Sequence, residues 1–184
     1  MNINTWKQHL EEQRRLKDIF FSSHPQSPLP LRARRGFRGL TYWPLDASLC
    51  FTLALHEYGE KRIMLVADTG DKQREYYRWG EFRFQIAGTQ CTLQAYKNNP
   101  EDERLFVPFR DDTSGRETHG AGRYLDLEAE RHRVPDGKWI VDFNEAYNPW
   151  CAYSENYVCP LVPPENCLPV AVRAGEQKYE YGAE

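Results

Sequence analysis

The sequence predicts a single, mostly β domain: an antiparallel meander closed into a barrel or a sandwich, with one amphipathic helix at its N-terminus. Three observations carry this. From residue 40 onward apolar residues recur with a period of two, not 3.6. The apolar runs are short and bounded by Gly, Pro, Asp and Asn. Only the N-terminal stretch has helical spacing, with Trp6, Leu10, Leu16, Ile19 and Phe20 assigned to one face and Glu11, Glu12, Arg14, Arg15 and Lys17 to the other. The expected layout is one domain over residues 1–184: a helix over 5–21, a β-body over 40–175 and a frayed tail over 176–184.

Taken in order, Thr5 and Gln8 have the spacing of a capping box, and Ser22-Ser23-His24-Pro25 stops the helix. Pro25, Pro28 and Pro30 make an extended connection. It leads into a basic stretch where Arg32, Arg34, Arg35 and Arg38 alternate with Phe37, Tyr42 and Trp43; in an acidic chain this reads as a solvated loop. Leu49–Leu55, Arg62–Ala67, Phe82–Ile86 and Cys91–Ala95 are expected strands, the last two joined by a hairpin turn around Gly88. Leu105–Phe109, Arg123–Leu127, Lys138–Phe143 and Leu168–Val172 supply the others.

Composition excludes several classes. The chain has 184 residues, 40% hydrophobic and 28% charged, as an ordinary globular domain does, and can bury roughly 70% of its unfolded surface. A net charge of −3 provides no field for nucleic acid or an anionic membrane. No run of 18 apolar residues exists to span a bilayer. The N-terminus carries charges where an export signal needs an apolar segment, so a cytoplasmic protein is expected. Its five cysteines are then reduced by default.

Two stretches do not read as ordinary loops. Asp142–Asn166 is rich in Tyr, Trp, Cys and Pro but nearly free of charge, so it is expected to fold back and be buried. Buried irregular backbone needs side-chain partners, a role suited to Asn144, Asn148, Asn156 and Asn166. Arg110–Gly122 is long for a connection between strands and holds the densest ionisable cluster in the chain. It lacks the GxxxxGK[ST] pattern of a nucleotide loop. His56 and His132 read as ordinary surface histidines.

The blocks FVPFRDDTSGRETHGAGRYLDL (106–127), DFNEAYNPWCAY (142–153) and CPLVPPENCLPVAVRAGE (159–176) resemble those of a bacterial and archaeal family catalogued as domain of unknown function 1684. The resemblance spans residues 15–176 and carries no activity with it. It implies Tyr at position 119, where this chain has His119, a departure that counts against His119 as an essential ligand or base. Cys151 and Cys159 match the family pattern, and Cys167 falls where that pattern is open.

Site chemistry admits several readings. In the first, the two loops meet at one end of the β-body and bind a small polar or anionic ligand. Arg110, Glu117, Arg123, Tyr124, Asp126, Asn144, Tyr147 and Asn148 supply the polar groups, the arginines neutralising the anion and the tyrosines orienting it. The same residues serve equally well as a salt-bridged lattice holding two loops together. An enzyme using carboxylates is the alternative, a hydrolase or isomerase with Glu117 and Asp126 or Asp142 and Glu165. A thiol nucleophile at Cys151 or Cys159 needs a nearby base. A zinc site at Cys151 and Cys159, with Cys167 and His119, departs from the usual ligand spacing, so no metal or cofactor is expected. A protein-interaction module using the aromatic 144–158 loop predicts an exposed apolar patch.

Overall fold

The computed structural model describes residues 2–180. Helix α1 (Ile3–Ser23) begins earlier than expected because Asn2, not Thr5, caps it, its side-chain oxygen accepting from the N–H groups of Asn4 and Thr5 (3.0 and 3.3 Å). Its inward stripe also differs. Trp6, Leu10 and Phe21 are buried, whereas Leu16 and Ile19 are about half exposed (51% and 47%). Positions 6, 10, 14, 17 and 21 are spaced by three and four, so Arg14 and Lys17 lie on the contact face and not on the solvent face. Trp6 anchors the helix by donating its indole N–H to Asp142 (2.7 Å).

After α1 the short helix α2 (Leu31–Arg34) turns the chain. Arg34 donates to the carbonyls of His24, Ser27 and Leu29, so this part of the basic stretch serves as scaffold. The strands are β1 (Cys50–Leu53), β2 (His56–Glu57), β3 (Ile63–Ala67), β4 (Gln73–Ile86), β5 (Thr89–Lys97), β6 (Arg104–Phe109), β7 (Arg123–Glu128) and β8 (Trp139–Asp142), with α3 (Ala129–His132) before β8. Six form one antiparallel sheet in the order β2-β4-β5-β6-β7, with β3 also beside β4; β1 and β8 form a separate antiparallel pair. No closed barrel forms among the described residues, because β7 does not pair with β2 or β3.

The main core lies between the inner face of the large sheet and the β1–β8 pair. Phe82 and Phe84 of β4, Leu93 of β5, Val107 of β6 and Leu125 of β7 pack there with Val141 and Phe143. In the second half of β4 and the start of β5 burial alternates as the sequence does, whereas the rest of β5 and most of β6 and β7 are buried on both faces, the second face holding Tyr96, Phe106 and Tyr124. The β4–β5 hairpin turns through Ala87 and Gly88, both at positive φ, as a tight two-residue turn requires.

Four expectations fail in instructive ways. Strand β4 begins nine residues before Phe82, through a charged, tyrosine-rich stretch that pairs with the edge strands β2 and β3. Leu168–Val172 is not a strand. Pro169 removes a donor, and the segment instead pairs irregularly with the Arg110–Gly122 loop, Leu168 donating to Arg110 and Asp112 to Val170 (2.8 and 3.1 Å). His132 is not a surface histidine: it is buried and bonds Glu145 (2.8 Å). The tail does not fray at Glu176, which is fully buried; Gln177 and Lys178 donate to the carbonyls of Thr41 and Glu117 (2.8 and 2.9 Å), and the tail beyond 180 lies outside the described residues.

Candidate functional site

Beyond β7 the sheet edge is continued by irregular backbone. Tyr124 and Tyr147 exchange N–H···O bonds (2.9 and 3.1 Å), Glu176 donates to Ala146 (2.9 Å), and Trp43 donates to Gly175 (2.9 Å). The aromatic loop, the C-terminal segment and the stretch after α2 thus lie side by side, covering an edge that would otherwise be open. Gly175 makes the approach feasible. It has φ +74°, and a Cβ there would run into the carbonyls of Ala146 and Phe143.

Helix α1 crosses this layer and leaves a cavity of about 100 Å3. Leu10, Gln13, Arg14 and Lys17 line it from the helix, and Tyr42, Asn144–Tyr147 and Glu176 from the layer. Glu176 is held on both oxygens: Lys17 donates to one (2.5 Å), and the Asn148 N–H (2.8 Å) and Tyr153 hydroxyl donate to the other. Lys17 also faces the Tyr147 ring (4.9 Å). Arg14 stacks on Tyr42 (4.4 Å) and donates to the carbonyls of Trp43 and Asn144 (3.0 and 3.4 Å).

Two lining groups remain unmatched. The Nε of Arg14 and the hydroxyl of Tyr42 are shut off from solvent and have no hydrogen-bond partner among the described residues. Burial pushes the Tyr42 hydroxyl well above the ordinary phenol range, and the charge of Glu176 adds to this, so it stays protonated and able to donate. Burial lowers the Arg14 guanidinium from its very high ordinary value, with Tyr42, Asp142 and Glu176 opposing the shift.

The family model described as "Protein of unknown function (DUF1684)" matches residues 35–177 of the chain. The chain belongs to that family. It is also similar to the solution NMR structure of an uncharacterised protein from Haloarcula marismortui, at 37% identity and a TM-score of 0.73, over 96% of this chain and 97% of that one. No curated protein matches it. The matched span of this DUF1684 chain holds Tyr42, Asn144, Tyr147 and Glu176, while Arg14 and Lys17 come from the helix before it.

The structure distributes the sequence-predicted residues of this DUF1684 protein over several networks. Asn144 and Tyr147 line the cavity. Asn144 is nevertheless engaged on both ends of its amide, accepting from Asp46 N–H and donating to Asp46 O and Asp142 (2.8, 2.8 and 2.7 Å). Asn148 supports Glu176 through its backbone and Gln177 through its side chain (2.8 Å). Arg123 is 1% exposed and reaches Asp111 (2.7 Å) and the carbonyls of Val172, Ala174 and Glu176. Tyr124 donates to Pro160 O. Tyr147 donates to Asp126 (2.6 Å), whose other oxygen is buried without a hydrogen-bond partner among the described residues.

Arg110 is exposed, and Glu117 is paired with Arg173 through two 2.9 Å bonds. The two loops do meet, but with no gap at Gly122, where a Cβ would collide with Val162. Neither carboxylate pair shares a network: Glu117 faces Arg173 and Asp126 faces Tyr147, while Asp142 caps Asn144 and Glu165 accepts from Tyr96 (3.1 Å). The asparagines behave as the loop composition implied, except Asn156, whose side chain is exposed. Asn166 bridges β5 and β6 beyond their direct pairing at Tyr96 and Phe106, bonding both backbone groups of Gln94 and the carbonyl of Pro108.

Tyr42, Glu176, Arg14 and Lys17 were missed. For Arg14 and Lys17 a signal existed, the helical stripe they share with Leu10 and Phe21. Among the described residues no group of three or more His, Cys, Asp or Glu side chains can hold a metal. Of the 144–158 loop, Trp150 and Val158 are exposed while Tyr153 is buried, so its apolar surface is divided between interior and solvent.

Proposed function

We propose that the cavity under α1 binds a small polar ligand carrying a hydrogen-bond acceptor, such as a carboxylate oxygen, which takes the bonds offered by Arg14 Nε and the Tyr42 hydroxyl. The observation that supports this is that the two residues carrying these unmatched donors, Arg14 and Tyr42, line one space of about 100 Å3. Leaving buried donors unmatched costs roughly 1–3 kcal/mol each, so a partner entering the space is favoured. The size suits a few water molecules or a short organic acid rather than a drug-sized molecule. Glu176 is already neutralised by Lys17, so its charge does not repel an incoming anion at full strength.

The test is a thermal-shift series with short mono- and dicarboxylates, formate to succinate. A binder present at about 100 times its Kd adds about 2.7 kcal/mol, a rise of roughly 5–10 °C for a domain of this size. The rise disappears in Tyr42→Phe and in Arg14→Gln. No shift with any of these acids would leave the space to ordered water and defeat the proposal.

A further inference from the structure

Cys151 and Cys159 form a second chemically distinct place, away from the cavity lining. The segment between them is wound into tight turns, with Tyr153 and Ser154 donating to Trp150 O and Tyr157 to Ser154 O (3.0, 3.2 and 3.2 Å). This winding returns the chain, so the Cys151 amide lies 3.4 Å from the Cys159 sulfur. The two cysteine side chains are thereby brought to one place in the loop. Thr69 pins Cys159 from both sides: its hydroxyl accepts the Cys159 N–H (3.1 Å), and its own N–H donates to the Cys159 carbonyl (3.0 Å). Cys159 is buried and Cys151 half-buried, so small molecules approach from the Cys151 side.

The remaining cysteines provide internal contrast. Cys91 is buried and its thiol donates to Thr89 O (3.6 Å). Cys50 is pushed up to about 12 by burial and then by the charge of Asp142. Cys167 is exposed.

We propose that Cys151 and Cys159 are a hydroperoxide-reactive dithiol that closes to an intramolecular disulfide. The Cys151 thiol donates to the Cys159 sulfur and favours its thiolate; burial opposes this, and the amides of Cys151 and Trp150, with the charge of Arg74, support it. The Cys151 amide, 3.4 Å from the Cys159 sulfur, gives that sulfur a hydrogen-bond donor, so Cys159 is the thiolate assigned here as nucleophile. The Cys159 thiolate attacks one oxygen of the hydroperoxide. An S–O bond forms, the O–O bond breaks, and the leaving oxygen takes a proton to become water or an alcohol. Cys151 then loses its proton and attacks the sulfenic sulfur; the S–S bond forms, the S–O bond breaks, and hydroxide leaves to become water. Two thiols give up two electrons and two protons, and the peroxide accepts both.

The experiment treats the reduced full chain with one equivalent of hydrogen peroxide and reads the denatured, non-reduced mass. A loss of two hydrogens is expected, with peptide mapping placing the bond between Cys151 and Cys159. Cys151→Ser is expected to accumulate a sulfenic acid on Cys159, captured by a carbon nucleophile. Cys159→Ser is expected to consume peroxide at least about tenfold more slowly. A bond involving another cysteine, first oxidation at Cys167, or an unchanged rate in Cys159→Ser overturns the assignment. Should either serine variant fail to fold, the mass and mapping of the parent protein still decide.

Discussion

Two arginines sit in opposite circumstances. The buried Arg123 has both terminal nitrogens fully engaged: a carboxylate and three carbonyls take their four N–H donors, and its guanidinium lies 5.2 Å from the Phe109 ring. Arg14 is left incomplete, with its Nε unmatched; it stacks on Tyr42, whose hydroxyl is also unmatched, and both residues line the same small cavity. With both terminal nitrogens engaged by its own chain, Arg123 holds the C-terminal segment against the 110–122 loop. Arg14 is half-buried and keeps an unmatched Nε among the described residues. Charge is common to both; the unmatched donor separates them.

The comparison breaks most sharply at Arg123. Arg123→Met strands Asp111 as an unpaired buried carboxylate, and a loss of about 3–5 kcal/mol in urea unfolding is expected. A loss below about 1 kcal/mol would mean the cluster is not the clasp described. Next, Gly175→Ala imposes strain at positive φ and a collision with two carbonyls, costing roughly 2–3 kcal/mol; because it displaces Glu176, carboxylate responses should vanish too. Arg14→Gln is expected to cost only about 1 kcal/mol, from two carbonyl contacts and the stacking on Tyr42.

A pH series sharpens the picture at His119, whose pKa is lowered by burial and by the nearby charge of Lys178. With the folded value below the unfolded one, its contribution is complete above the unfolded value of about 6.5 and is lost as pH falls towards the folded value. His119→Tyr should flatten that part of the stability profile, and an unchanged slope would assign it to other groups. Smallest of all, Tyr42→Phe should shift stability by no more than about 0.5 kcal/mol, since the hydroxyl it removes has no partner, while abolishing any carboxylate response. A large destabilisation there would reveal a partner for that hydroxyl.

Legibility followed local periodicity. Strands β5 to β8 and the β4–β5 turn were readable because each buries alternate side chains against one core. The first half of β4 was not, since Arg74, Glu75 and Arg78 occupy a strand paired with short edges. Arg14 and Lys17 read as solvent-facing by residue type, although their positions fall on the buried stripe. The aromatic loop was recognisable as folded inward, and Asn144, Asn148 and Asn166 as its backbone partners, because buried irregular backbone has few other sources of hydrogen bonds. Cys151 and Cys159 were separately visible, but their contact depends on a turn with no sequence signature.

By itself the sequence determined a mostly β, antiparallel chain with an N-terminal helix, an inward-folded aromatic loop and the family to which it is similar. These follow from side-chain alternation, turn residues and local motifs, all properties of neighbours in the chain. The tertiary structure alone decided which charges are spent and which remain available. Glu176 lies 159 residues from Lys17, and the Arg14 guanidinium reaches the Asn144 carbonyl across 130 residues. Whether a buried donor finds an acceptor depends on contacts made across such distances, and no local pattern records them.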